Sequence, residues 1–127
     1  MNKFMDRAIA KNVWLFRGLK ANVSITHTNR FGEHCWCLYV LIFNTHPLFE
    51  KAYKNKSDYD LDLGDELYGA FHGGCTYYNK QKDWVKIGCD YQHLGDERFL
   101  EQEDLPQEII ADARDLYNFF NDCNEIL

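Results

Sequence analysis

The chain has 127 residues, of which 46% are hydrophobic, 16% aromatic and 27% charged, with a formal net charge of −6. This length fits a single domain, residues 1–127, that buries roughly two-thirds of its unfolded surface and needs no disulfide or metal to fold. The acidic balance argues against direct coating of nucleic acid and suits a protein partner with a basic surface, and no apolar run is long enough to span a membrane.

Residues 2–10, "NKFMDRAIA", place Phe4, Met5, Ala8 and Ile9 on one side of a predicted short helix. No apolar h-region follows Met1-Asn2-Lys3, so the expected location is the cytoplasm. The five cysteines are then reduced thiols, and none forms a C-x-x-C pair. "NVWLFRG" is a predicted strand, and "ANVSITHT" (21–28) alternates with the period of a half-buried strand. "RFGEH" turns at Gly32, with His27 and His34 nearby and expected in solvent. "CWCLYVLIF" (35–43) is apolar at both parities and predicts a central strand covered on both faces. His46-Pro47 reads as a strand terminator, because proline lacks the backbone donor.

Residues 50–66 read as a charged surface excursion with one helical turn near its start. "LYGAFH" (67–72) and "CTYY" (75–78) read as short strands, or as one strand bent at Gly73-Gly74. The loop "NKQKD" returns through a hairpin into "WVKIGC" (84–89). After Gly95-Asp96 the pattern becomes helical. Pro106 marks a helix start, and Leu105, Ile109, Ala113, Leu116 and Phe120 recur at helical spacing, with Ile110 and Tyr117 widening the stripe. The expected fold class is α+β, a mostly antiparallel sheet with a C-terminal helix packed on one face.

The chemistry-bearing stretch is "FHGGCTYYNKQKDWVKIGCDYQHLGD". His72, Asp90, His93 and Asp96 are expected to converge as a structural or binding cluster with Gly73 and Gly74. The same four are the candidate metal ligands, since imidazole and carboxylate suit zinc, manganese or iron. No cofactor is expected, a divalent metal on these residues being the alternative. The competing role is turn capping by Asp90 and Asp96 with histidine hydrogen bonds, the commoner use of such residues. Tyr77, Tyr78, Trp84 and Tyr91 are candidates for stacking on a planar ligand. Cys75 and Cys89 read as buried thiols, and no catalytic residue is assigned.

"THPLF", "FHGGCTYY" and "W-x-x-x-G-x-D-x-x-H-x-G-D" together resemble a group of small uncharacterised proteins of phages and mobile elements. Their sequences read approximately H-P-L-Y, H-G-G-L-T-Y and W-W-x-G-F-D-x-x-H-x-G-D. The resemblance covers about half of the chain, from the central strand to Asp96. It maps His46, Pro47, His72, Gly73, Gly74, Thr76, Tyr77, Gly88, Asp90, His93, Gly95 and Asp96. Cys75 and Cys89 replace an aliphatic and an aromatic residue of that pattern, so neither is expected to be a shared nucleophile.

The functional expectation is therefore a small acidic accessory protein that acts by binding, as an inhibitor of a host defence component in the manner of an anti-CRISPR. The alternatives are a metal-dependent hydrolase built on the His and Asp residues, and a nucleotide-binding sponge. Its partner would be a protein with a basic surface.

Overall fold

A computed structural model describes residues 12–54, 71–72, 75–92 and 94–122, with residues 8–10 described by their backbone. Six antiparallel strands form one sheet: β1 (Ala8–Ala10), β2 (Val13–Phe16), β3 (Ala21–Arg30), β4 (Glu33–Phe43), β5 (Tyr77–Gln81) and β6 (Trp84–Asp90). Their spatial order is β1-β2-β3-β4-β6-β5. Three helices accompany them: α1 (Phe49–Tyr53), α2 (Glu97–Leu100) and α3 (Gln107–Asp122). The class is α+β, with the C-terminal helix packed against the sheet.

The alternation of β3 and β4 decides which side α3 takes. Ala21, Val23, Ile25 and His27 of β3 are buried, as are Trp36, Leu38, Val40 and Ile42 of β4. Their register, Val23 with Val40 and Ile25 with Leu38, puts both sets on one face. Ile109, Ala113, Leu116, Tyr117 and Phe120 of α3 join that core, together with Ala52 of α1 and Phe99 of α2. The helical period in 105–120 and the strand period in 21–42 thus describe the two sides of one interface.

β4 is central, between β3 and β6, but among the described residues no helix covers its outer face. Cys35, Cys37, Tyr39, Leu41 and Phe43 remain only half-buried. The described helices all pack on the opposite side, so the outer apolar residues shelter against neighbouring strands instead. Tyr39 does so by lying over Gly88, where a β-carbon would collide with its ring, and by meeting Tyr77 edge-on at 5.0 Å.

Other expectations need correction. Ala8–Ala10 form a strand paired with β2 and not a helix end, because the edge of β2 offers ladder partners. Phe71 and His72 lie in a bend and turn, not in a strand. The sequence "NKQKD" is strand through Gln81, and only Lys82-Asp83 make the turn. α1 supplies the helical turn expected near residue 50, while 55–70 fall outside the described residues.

The β3–β4 hairpin turns through Phe31 and Gly32, with φ of 53° and 85°. Two positive φ values fit a type I′ turn, which matches strand twist and favours Asn-Gly. Gly32 takes this geometry freely, and its N–H is held by Asn29 Oδ1 at 3.1 Å. Phe31 does not, since a bulky L-residue in the left-handed region is strained. Replacing Phe31 with Asn is expected to raise stability by about 0.5–1 kcal/mol, read as a higher urea midpoint at unchanged m.

Polar side chains fasten α3 to the sheet at its far end. Asn121 is 3% exposed, and its Oδ1 accepts the N–H groups of Lys20 at 3.0 Å and Ala21 at 3.1 Å. Its Nδ2 donates to Tyr117 O at 3.0 Å, within α3. Tyr117 donates its hydroxyl to Arg17 O at 3.0 Å. Gly18 leaves room for this amide, for a β-carbon there would occupy the Asn121 side chain. Asn121→Ala removes the acceptor of the buried Ala21 N–H and is expected to cost about 2–4 kcal/mol in chemical denaturation, more than one exposed hydrogen bond accounts for.

Candidate functional site

The polar residues of 71–96 are distributed by the parity of β6. Cys89 and Tyr91 fall on the helical side, and both are buried. Asp90 falls on the outer side, paired with Cys37, and its Oδ1 accepts the Gln92 N–H at 3.1 Å. This is a turn bond of the kind aspartate makes two residues along.

His72 comes to the Tyr91 side. Its ring lies 4.4 Å from that of Tyr91 at 15°, and meets Phe99 edge-on at 6.0 Å. His72 Nε2 sits 2.8 Å from both carboxylate oxygens of Asp96, whose side chain is 6% exposed. Asp96 occupies the position before α2 but makes no side-chain cap. Its backbone carbonyl accepts Phe99 N–H at 2.9 Å, while its carboxylate meets the imidazole.

A second pair lies alongside. Tyr91 donates its hydroxyl to Asp112 Oδ2 at 2.6 Å, tying the end of β6 to α3. Burial raises the Tyr91 pKa far above that of a free phenol, reinforced by Asp112. Burial also raises the Asp112 carboxyl, against the opposing hydrogen bond from Tyr91 and the field of His72. Cys89 is inert for the same reason: burial raises its thiol, outweighing a backbone hydrogen bond from His72.

The expected cluster therefore divides. His72 and Asp96 meet, Asp90 serves the other face, and Gly73, Gly74 and His93 lie outside the described residues. Among the described residues no group of three or more His, Cys, Asp or Glu side chains is placed to hold a metal. The aromatic candidates divide too. Tyr77 and Trp84 face outward, whereas Tyr78 packs toward the core with its hydroxyl on Ala52 O, and Tyr91 is buried.

His27 and His46 were legible as histidines but not as core residues. His27 is 8% exposed, not solvated. It lies 4.3 Å from Trp36 in near-parallel contact, with Nδ1 3.0 Å from Asn12 Oδ1 and Nε2 2.7 Å from His34 Nδ1. His46 donates Nε2–H to Phe120 O at 2.7 Å and accepts Leu48 N–H on Nδ1 at 2.9 Å. That pair of bonds selects the neutral Nε2–H tautomer.

Burial lowers the His46 pKa, opposed by the Phe120 carbonyl. Burial lowers that of His27 as well, with His34 adding to the effect. Between each folded value and the ordinary value of about 6.5, the unfolded chain binds the extra proton. The stabilisation is complete above pH of about 6.5 and declines as pH falls through the folded values. Urea midpoints should drop from about pH 7.5 to about pH 5.5, and His46→Gln should flatten that slope while lowering the midpoint at the higher pH.

The β3–β4 end of the sheet holds residues that the motif reading passed over. Phe31 is 105% exposed and Leu94 100%. Leu94 precedes Gly95, which has a φ of 96°. Between the hairpin and this turn lies an open pocket of about 410 Å³, lined by Glu33, Gln92, Leu94, Asp96, Glu97 and Leu100. The signal in the sequence was an aromatic side chain directly before Gly32, where a two-residue turn calls for Asn, Asp or Gly.

No protein-family model, curated protein or solved structure matches the chain.

Proposed function

We propose that the protein acts by binding a protein with a basic surface, as a phage or mobile-element accessory factor that blocks a host defence component. The observation that carries this reading is where the charge sits. Residues 96–122, which contain α2 and α3, hold nine carboxylates and two arginines, whereas the remaining residues hold eleven acidic and twelve basic side chains. The chain's negative charge thus belongs to its C-terminal helical segment.

A one-signed field of this kind speeds encounter with an oppositely charged partner and orients it. Among the described residues, some of these carboxylates are engaged within the fold and others face solvent. Arg98 pairs with Glu108 at 2.6 Å, and Asp96 and Asp112 are engaged by His72 and Tyr91. Glu97, Glu101, Glu103, Asp104 and Asp115 are exposed. The resemblance to phage and mobile-element proteins supports the biological setting, and nucleic-acid-binding host proteins supply basic surfaces.

Association should slow steeply between about 50 mM and about 500 mM salt, as screening shortens the range of the field. Replacing Glu97, Glu101, Glu103 and Asp104 together by Gln or Asn should reduce the association rate by roughly tenfold or more at low salt, with dissociation changed little. Surface plasmon resonance against a basic protein recovered on the immobilised chain from host lysate at low salt reads both. Binding that is indifferent to salt and to the fourfold neutralisation contradicts the proposal.

A further inference from the structure

The acidic segment explains attraction without explaining a seat. Two large apolar side chains at the adjacent end of the sheet project into solvent. Phe31 and Leu94 are 105% and 100% exposed, so neither contributes to the core. Phe31 also keeps a φ of 53°, where Asn or Gly would relieve the turn. Fold stability gives no reason for a strained, solvent-directed phenyl ring.

The surroundings are mixed in a particular way. Glu33, Asp96 and Glu97 line the pocket together with Leu94 and Leu100. Glu33 pairs with Arg30 across the turn that carries Phe31, so the hairpin tip and the pocket are continuous. α2 forms part of the pocket wall and opens the acidic segment. Apolar projections bordered by carboxylates fit a surface of opposite character: apolar depressions bordered by lysine or arginine, whose aliphatic stems cover leucine while their charged heads meet carboxylate.

From this juxtaposition we infer that the β3–β4 hairpin end is the docking surface for the basic partner, with Phe31 and Leu94 as its apolar anchors. This rests on the proposed binding function and adds the place and the chemistry of the contact. Carboxylates steer the partner in, and the two anchors hold it. The cost of Phe31 in the turn is then a cost of recognition. Leu19, 70% exposed in the β2–β3 connection, lies at the opposite end of β3 and is outside the contact.

The test uses the full chain and three synthetic peptides of equal length: oligolysine, a peptide mixing Lys and Arg with Leu and Phe, and a neutral apolar peptide. Affinities are measured by fluorescence anisotropy for the wild type, for Phe31→Ser with Leu94→Ser, for Leu19→Ser, and for the fourfold neutralised variant. The expected order places the mixed peptide at least about tenfold tighter than either control. The double anchor variant should lose that advantage and bind the mixed peptide like oligolysine. Leu19→Ser should change nothing. All substituted side chains are exposed, so equal thermal midpoints or higher ones keep loss of fold out of the comparison.

A photo-crosslinking residue at position 31 or 94 should react with the mixed peptide, and one at position 19 should not. Full retention of mixed-peptide affinity in the anchor variant, together with loss in the neutralised variant, overturns the anchors and leaves the charge-driven function standing. No salt-sensitive binding of any basic peptide overturns both. Crosslinking between two copies of the chain with a dimer in analytical ultracentrifugation, or flotation with neutral phosphatidylcholine vesicles through Phe31, overturns the assigned partner.

Discussion

The amide of Asn121 is the constraint on which the rest of the structure depends. It sits near the end of α3 yet accepts the N–H groups of Lys20 and Ala21, at the start of β3. Hydrophobic contact alone lets a helix slide or rotate on a sheet, because dispersion and apolar burial have little direction. A buried amide with specified donors does have direction, and leaving those donors unsatisfied is costly. His46 strengthens the same end by bonding Phe120 O, and Tyr117 reaches Arg17 O. Together they set the register of α3 against β3 and β4.

At the other end of the helical layer the fastenings differ. Trp36 Nε1–H donates to Gln102 O at 3.0 Å, Tyr91 bonds Asp112, and His72 bonds Asp96. These bonds hold α2 and the acidic start of α3 against β4 and the end of β6, and α2 shares its pocket with Glu33 of the hairpin. The polar residues that look chemically ready are thus used to locate one layer on another. What they leave presented is charge and two apolar tips, a composition suited to recognition. The polar seam also holds Asp96 and Glu97 at the pocket that Glu33 and Leu94 line.

Periodicity made the layers legible. Residues 21–43 carry the alternation of a sheet, and 105–120 carry the stripe of the helix that covers it, so the fold class follows from two simple patterns. The one-sided burial of β4 was not legible, because Cys37, Tyr39, Leu41 and Phe43 have the composition of core residues. Tyr39 finds its shelter on the outer face over Gly88, its partner across the ladder and distant in sequence. His72 and Asp96 meet as members of the expected four-residue cluster, but Asp90 is separated from them by parity: one residue along a strand reverses the face. The roles of His46 and Asn121 depend on partners 74 and 100 residues away, and local sequence holds no trace of such distances.

Amide hydrogen exchange at the β2–β3 connection measures the central constraint most directly. In the wild type, the N–H groups of Lys20 and Ala21 should exchange only with the opening that also exposes Phe120 and the last turn of α3. In Asn121→Ala, under conditions where the protein remains folded, both should lose protection while the middle of β3 keeps its own. If Lys20 and Ala21 exchange in the wild type at the rate of open loop amides, while the end of α3 stays protected, Asn121 does not hold the two layers together.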